Sequence, residues 1–260
     1  MDLDRVTYEA RGCSLSALRG GKGPRLLYLH GLEAAGDLLP FLGELAESFE
    51  IFAPEHPGFG ASADPSWLSN IHDLAYFYLD LLDDMGGAPF HVVGASIGGW
   101  AALEMAVRNS TRIASLSLCA PAGIYAQGLS RGDVFLWSTE ERIRNFYFDQ
   151  ATAEKVLEGM DPLRDFDETY KSALTLARIA WEPRLFDPFL KKWLHRITVP
   201  TQIIWGEDDR VIPAGYASEF AKLIPHATVH RVAQCGHLSP IEKPMVLTSL
   251  ISSFAKGLSK

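Results

Sequence analysis

A serine placed between two glycines at the spacing Gly-x-Ser-x-Gly can act as a nucleophile where the chain turns sharply, and this 260-residue sequence carries that spacing twice. The copies are Gly94-Ala95-Ser96-Ile97-Gly98 and Gly128-Leu129-Ser130-Arg131-Gly132. The bare pattern says little in a chain with 22 glycines, so its surroundings decide. Before the first copy stands the apolar run Phe90-His91-Val92-Val93, and after it comes Gly99-Trp100-Ala101-Ala102-Leu103-Glu104-Met105. These read as strand, tight turn and helix, an order that exposes a hydroxyl beside amides favouring negative charge. The glycines remove side chains where backbones crowd. The second copy has no strand before it. Ser96 is therefore the candidate nucleophile, and Ser130 reads as an ordinary loop residue.

A hydroxyl is a weak nucleophile without a base, and the base needs a third group to hold it. Downstream, the apolar run Thr201-Gln202-Ile203-Ile204-Trp205 leads into Gly206-Glu207-Asp208-Asp209-Arg210-Val211-Ile212-Pro213. A further strand-like run, 227–232, leads into Cys235-Gly236-His237-Leu238-Ser239-Pro240. His237 is the candidate base, and three adjacent carboxylates compete to orient it. Attack on an acyl carbonyl also needs donors for the oxyanion. The backbone N–H groups of Leu32 and Ile97 are the candidates, because Leu29-His30-Gly31-Leu32 closes another apolar run. His30 reads as a histidine that ties loops together rather than a second base.

The elements that must hold these groups alternate. Near-continuous apolar runs at 25–29, 49–52, 90–93, 113–118 and 201–205 read as strands buried on both faces, as in a parallel sheet. Helical periodicity falls between them at 38–48, 71–85, 98–108, 216–223 and 245–254. The pattern predicts an α/β fold with a mostly parallel, doubly wound sheet. Two alternating runs at 5–11 and 14–19, separated by Gly12-Cys13, predict an antiparallel edge hairpin.

Residues 124–196 break the rhythm with helical pattern punctuated by Pro162, Pro183 and Pro188, and are expected to form an inserted helical cap. The core is then expected from 1–123 and 197–260. The cap holds 12 of the chain's 28 aromatic residues, which serve equally well to fill a small core or to line a pocket.

Composition narrows the function classes. A net charge of −8 with no basic segment argues against nucleic acid. No apolar run reaches the roughly 20 residues that span a bilayer, and the N-terminus lacks the order of a signal peptide, so a cytoplasmic protein without a membrane partner is expected. Cys13, Cys119 and Cys235 are odd in number and far apart, and read as small core residues. Gly58-Phe59-Gly60-Ala61-Ser62-Ala63 imitates a dinucleotide-binding turn, but Asp64-Pro65 follows where its helix should continue, so no nicotinamide or flavin cofactor is expected. His226 and His230, four apart on an expected strand, would be separated by about 13 Å and imply no metal. Glu104 and Asp83-Asp84 read as solvated helix faces.

Over nearly its whole length the chain resembles the capped α/β-hydrolase superfamily. The likeness rests on His30-Gly31, His56-Pro57-Gly58-Phe59-Gly60-Ala61-Ser62, Gly94 to Gly99, Gly206 to Pro213, and Gly236-His237 followed by Glu242-Lys243-Pro244. The resemblance implies a triad of Ser96, Asp209 and His237, with Asp209 chosen because the family places the acid three residues after the strand-ending glycine and four before a proline. It also implies that 124–196 is a lid. Dehalogenases and capped epoxide hydrolases carry an aspartate at the elbow, which this chain lacks. The expectation is a cofactor-independent serine carboxylesterase acting on small to medium apolar substrates. The alternatives are a carbon–carbon hydrolase of meta-cleavage products and a ligand-binding relative with little turnover. The carbon–carbon hydrolases often carry an asparagine where Ala95 stands.

Overall fold

A computed structural model describes residues 3–33, 35–161 and 166–258. Met1, Asp2 and Pro162 lie outside the described residues. The sheet has eight strands: β1 (Asp4–Ala10), β2 (Cys13–Gly20), β3 (Arg25–Leu29), β4 (Glu50–Pro54), β5 (Phe90–Ala95), β6 (Ile113–Cys119), β7 (Thr201–Gly206) and β8 (Thr228–Val232). Their order is β1-β2-β4-β3-β5-β6-β7-β8. β1 and β2 pair antiparallel at the edge, β2 meets β4 antiparallel, and the remaining pairings are parallel. The hairpin is where the alternation puts it, but its turn is Arg11-Gly12 rather than Gly12-Cys13. Both turn residues have positive φ, 51° and 70°, as a two-residue turn matching strand twist requires, and Cys13 already pairs with Ala10.

Helices α1 (Leu39–Leu45), α2 (Ile71–Asp84), α3 (Ser96–Arg108), α7 (Gly215–Leu223) and α9 (Pro244–Leu258) clothe the sheet, with the single turn α8 (Ser239–Glu242) leading into α9. α2 starts where Asn70 and Asp73 form a reciprocal capping box. The expected 38–48 helix is shorter than its periodicity, because Pro40 sits in the first turn of α1 and a 3-10 turn, Ala35–Leu38, precedes it. The strands feed two apolar layers: Leu27 and Leu29 pack with α2, α3 and α7, while Leu26 and Tyr28 pack with α1 and α9. All three cysteines are buried and unpaired.

The described residues of 124–196 form α4 (Thr139–Phe146), α5 (Gln150–Gly159), α6 (Phe166–Ala180) and two short 3-10 turns. The Ser138–Glu141 capping box starts α4, and the Asp149 carboxylate caps α5. Side chains fasten this segment to the sheet's loops. Thr175 Oγ1 donates to the Gly58 carbonyl at 2.8 Å, Lys171 Nζ to the Gly60 carbonyl at 2.9 Å, and Arg178 pairs with Asp64.

Candidate active site

The turn between β5 and α3 is shaped by crowding. Ser96 takes a φ of 49°, a left-handed conformation that costs a non-glycine residue about 1–2 kcal/mol. A Cβ at Gly94 would lie 2.7 Å from the Gly98 carbonyl oxygen, and one at Gly98 would lie 2.1 Å from the Leu29 oxygen. Only glycine lets α3 start this close to β3 and β5. The strained turn lifts the Ser96 hydroxyl to the carboxyl ends of the parallel strands, where such sheets collect functional groups.

His237 and Asp209 reach the same place from the loops after β8 and β7. Ser96 Oγ lies 3.0 Å from His237 Nε2, and His237 Nδ1 lies 2.8 Å from Asp209 Oδ2. The other Asp209 oxygen accepts from the Val211 and Ile212 amides at 2.8 and 2.9 Å, which fixes the carboxylate's plane. Glu207 and Asp208 are exposed, so only Asp209 of the three carboxylates faces the imidazole. Burial disfavours charge on His237, but the Asp209 carboxylate overrides it, with help from Glu33, and the histidine's pKa stands above its ordinary value. With Nδ1–H donated to Asp209, Nε2 is free to accept the serine proton.

The loop after β3 closes the site from the other side. A Cβ on Gly31 would approach Ser96 Cβ to 3.0 Å, so this backbone lies against the serine. Neither the Leu32 nor the Ile97 amide donates to another described group. His30 ties loops, as expected: its Nε2 accepts from the His56 amide at 2.8 Å, and its Nδ1 donates to the Gly31 carbonyl at 2.8 Å. His56 returns a bond to the His30 carbonyl and stacks on its ring. Burial lowers both pKa values, which keeps the pair neutral.

Two carboxylates to which the sequence reading gave no role shape the site. Glu33 is buried, and its Oε1 accepts from Tyr28 Oη and the Gly31 amide, each at 2.9 Å, holding the Gly31-Leu32 turn. Glu242 accepts from the Gly236 amide at 2.6 Å and from the Phe148 amide at 2.8 Å. It thus joins the His237 loop to the α4–α5 junction. The Phe146 carbonyl reinforces this by accepting from the His237 amide at 2.9 Å.

A cavity of about 880 Å³ opens beside Gly31, Leu32, Phe146 and Leu238. Phe135, Trp137, Tyr147 and Trp181 are among its walls, so aromatics of 124–196 do line a pocket, while others of that segment, such as Tyr125 and Trp193, face solvent. Ser130 is exposed and borders a separate, smaller cavity.

Glu104 corrects its expected solvated position, being 1% exposed. It accepts from Trp100 Nε1 at 3.0 Å and pairs with Arg108, because α3 is covered by its neighbours on nearly every side. Asp83 and Asp84 are exposed as expected. Among the described residues one trio, His72, Glu104 and Asp187, offers metal-type ligand atoms within 4.8 Å of one another. The Arg108 guanidinium already answers it, lying 2.8 Å from His72 Nδ1. His226 sits in a left-handed turn before β8 and not on the strand with His230.

The family model described as alpha/beta hydrolase fold matches residues 24–244. Monoacylglycerol lipase ABHD6 of Mus musculus is 28% identical over 262 residues, covering 91% of this chain and 76% of its own. A 2-hydroxymuconate semialdehyde hydrolase of Pseudomonas sp. (strain CF600) is 25% identical over 267 residues, covering 94% and 91%. Among solved structures, a meta-cleavage product hydrolase from Pseudomonas fluorescens IP01 (CumD) superposes with a TM-score of 0.81 at 22% identity, over 97% of each chain, a likeness of fold. Among the described residues no helix is long and apolar enough to cross a membrane.

Proposed function

This chain belongs to the alpha/beta hydrolase fold family, and from that premise we propose that it cleaves a carboxylic ester of a small to medium apolar substrate through an acyl-enzyme. The observation that carries the reading is the unbroken relay Ser96 Oγ–His237–Asp209, with links of 3.0 and 2.8 Å. Ser96 attacks the carbonyl as His237 takes its proton, and the Leu32 and Ile97 amides receive the oxyanion. His237 then protonates the departing alcohol. In the second half-reaction it activates water against the acyl-enzyme, and Asp209 stabilises the imidazolium each time it forms.

Residues 124–196 act as a lid over the acyl pocket, their aromatic walls gaining about 25 cal/mol per Å² of apolar surface buried against the substrate. The relatives named for lipase activity support an ester substrate. A second reading, carbon–carbon cleavage of a ring-fission product, draws support from the 2-hydroxymuconate semialdehyde hydrolase. A cytoplasmic location and independence from cofactors belong to the same proposal. Steady-state hydrolysis of p-nitrophenyl butyrate and octanoate, set beside a dienol ring-fission product, tests it. Ester turnover with negligible dienol cleavage is expected, faster dienol cleavage selects the second reading, and turnover of neither makes the chain a binding relative.

A further inference from the structure

The cations of the 124–196 segment divide into those with partners and those without. Arg144, Arg178 and Arg184 pair with carboxylates, and Arg131 and Arg196 donate to backbone carbonyls. Arg142 is the exception among the described arginines of the segment, since its guanidinium makes no hydrogen bond or ion pair with a described residue. It is half-buried on α4 and lines the large cavity. Burial alone acts on its pKa, downward, with no acid answering it. Lys155 on α5 lines the same cavity, is exposed, and also forms no ion pair with a described residue.

A guanidinium partly withdrawn from water and left without a protein partner is short of hydrogen bonds that a bound anion can supply. Of the acids that line the same cavity, Glu33 holds Tyr28 and Gly31, Glu55 pairs with Arg5 at 3.1 Å and accepts from the Ala61 amide at 2.8 Å, and the exposed Asp37 is not among the charges that act on Arg142. Arg142 lies one helical turn before Phe146, whose carbonyl holds the His237 amide, so it is about 6 Å further along the helix axis from the catalytic end. Much of the rest of the wall is apolar, including Val134, Phe135, Ile143, Val156 and Leu176.

We propose that Arg142 receives a carboxylate at the far end of the acyl chain, making the enzyme selective for half-esters of aliphatic dicarboxylic acids. The planar fork of arginine suits a carboxylate in a bidentate pair, and the walls suit the methylenes that join it to the ester. Lys155 adds positive potential at the rim. The inference rests on the ester-hydrolase reading and adds a charged second anchor to its apolar pocket.

The test compares p-nitrophenyl hydrogen suberate with p-nitrophenyl octanoate, equal in chain length but differing in the terminal charge. In Arg142→Gln the ratio of kcat/KM for the half-ester over the neutral ester is expected to fall by about 30-fold, as losing a charge-assisted hydrogen bond implies, with Arg142→Lys recovering part of it. A ratio unchanged to within about threefold in Arg142→Gln overturns the proposal. If the wild type cleaves neither ester, the hydrolase reading fails on its own, and calorimetry with monomethyl suberate on Ser96→Ala decides the subsite. Binding that disappears in Ser96→Ala/Arg142→Gln supports it, and equal binding by both variants overturns it.

Discussion

Gly94–Gly98 and Gly128–Gly132 share one spacing and become different objects. In the first, Ser96 is 8% exposed, has positive φ, and lies against His237 at 3.0 Å. In the second, Ser130 is exposed in a loop, and a Cβ at Gly128 would meet nothing within 4 Å. The difference teaches that the glycines of the motif matter through what crowds them. Gly98 has the β3 backbone against it, while the φ of 83° at Gly128 only shapes a turn.

The largest expected contrast is kinetic. Ser96→Ala should lower kcat for ester hydrolysis by about 10⁶, the cost of losing the nucleophile from such a triad, whereas Ser130→Ala should cost less than about tenfold. Comparable losses in the two variants, measured on folded protein, would erase the distinction.

Next comes the relay that Ser96 has and Ser130 lacks. Asp209→Asn should lower kcat by about 10⁴, because an amide can hold the wrong imidazole tautomer, while exposed Asp208→Asn should cost less than about tenfold. The reverse ranking would make Asp208 the orienting acid.

Stability sharpens the comparison of the glycines. Gly98→Ala places a methyl 2.1 Å from the Leu29 oxygen and should cost about 3 kcal/mol, a fall in Tm of about 6–12 °C by calorimetry. Gly128→Ala meets no atoms and should cost only the left-handed strain of about 1 kcal/mol. Equal shifts would mean that crowding does not set the elbow apart.

The smallest expected effect is on the pH profile. His237 must be neutral to accept a proton, so kcat/KM should rise with pH through a midpoint above the ordinary histidine value of 6.5, and activity should be lost as acid protonates the ring. Glu33→Gln removes a negative charge that favours the imidazolium and should move that midpoint down. A midpoint that stays or rises would show that Glu33 acts on the loop alone.

The features legible in the sequence are those written by neighbours along the chain. Strand, turn and helix around Ser96 follow from apolar runs and local glycines, and the edge hairpin follows from alternation. Asp209 could be chosen from its neighbours only through the family's spacing. What stayed hidden depends on how the folded chain closes around a side chain, whether its partners are near or far in sequence. Glu104 looks like a surface acid until Arg108, Trp100 and His72 close over it. Nothing in the sequence around Glu33 announces that Tyr28 and Gly31 will bind one of its oxygens. Arg142 resembles Arg144 two residues later, and only the fold shows that Arg144 meets Glu140 and Glu154 while Arg142 turns to the cavity.

The most direct measurement is to label the native protein with a fluorophosphonate and locate the adduct by peptide mass spectrometry. The account predicts a single modified serine, Ser96, because among the described residues it combines a histidine held by a carboxylate against its hydroxyl with the amides proposed to receive the oxyanion. An adduct on Ser130, or labelling that persists in Ser96→Ala, would contradict it.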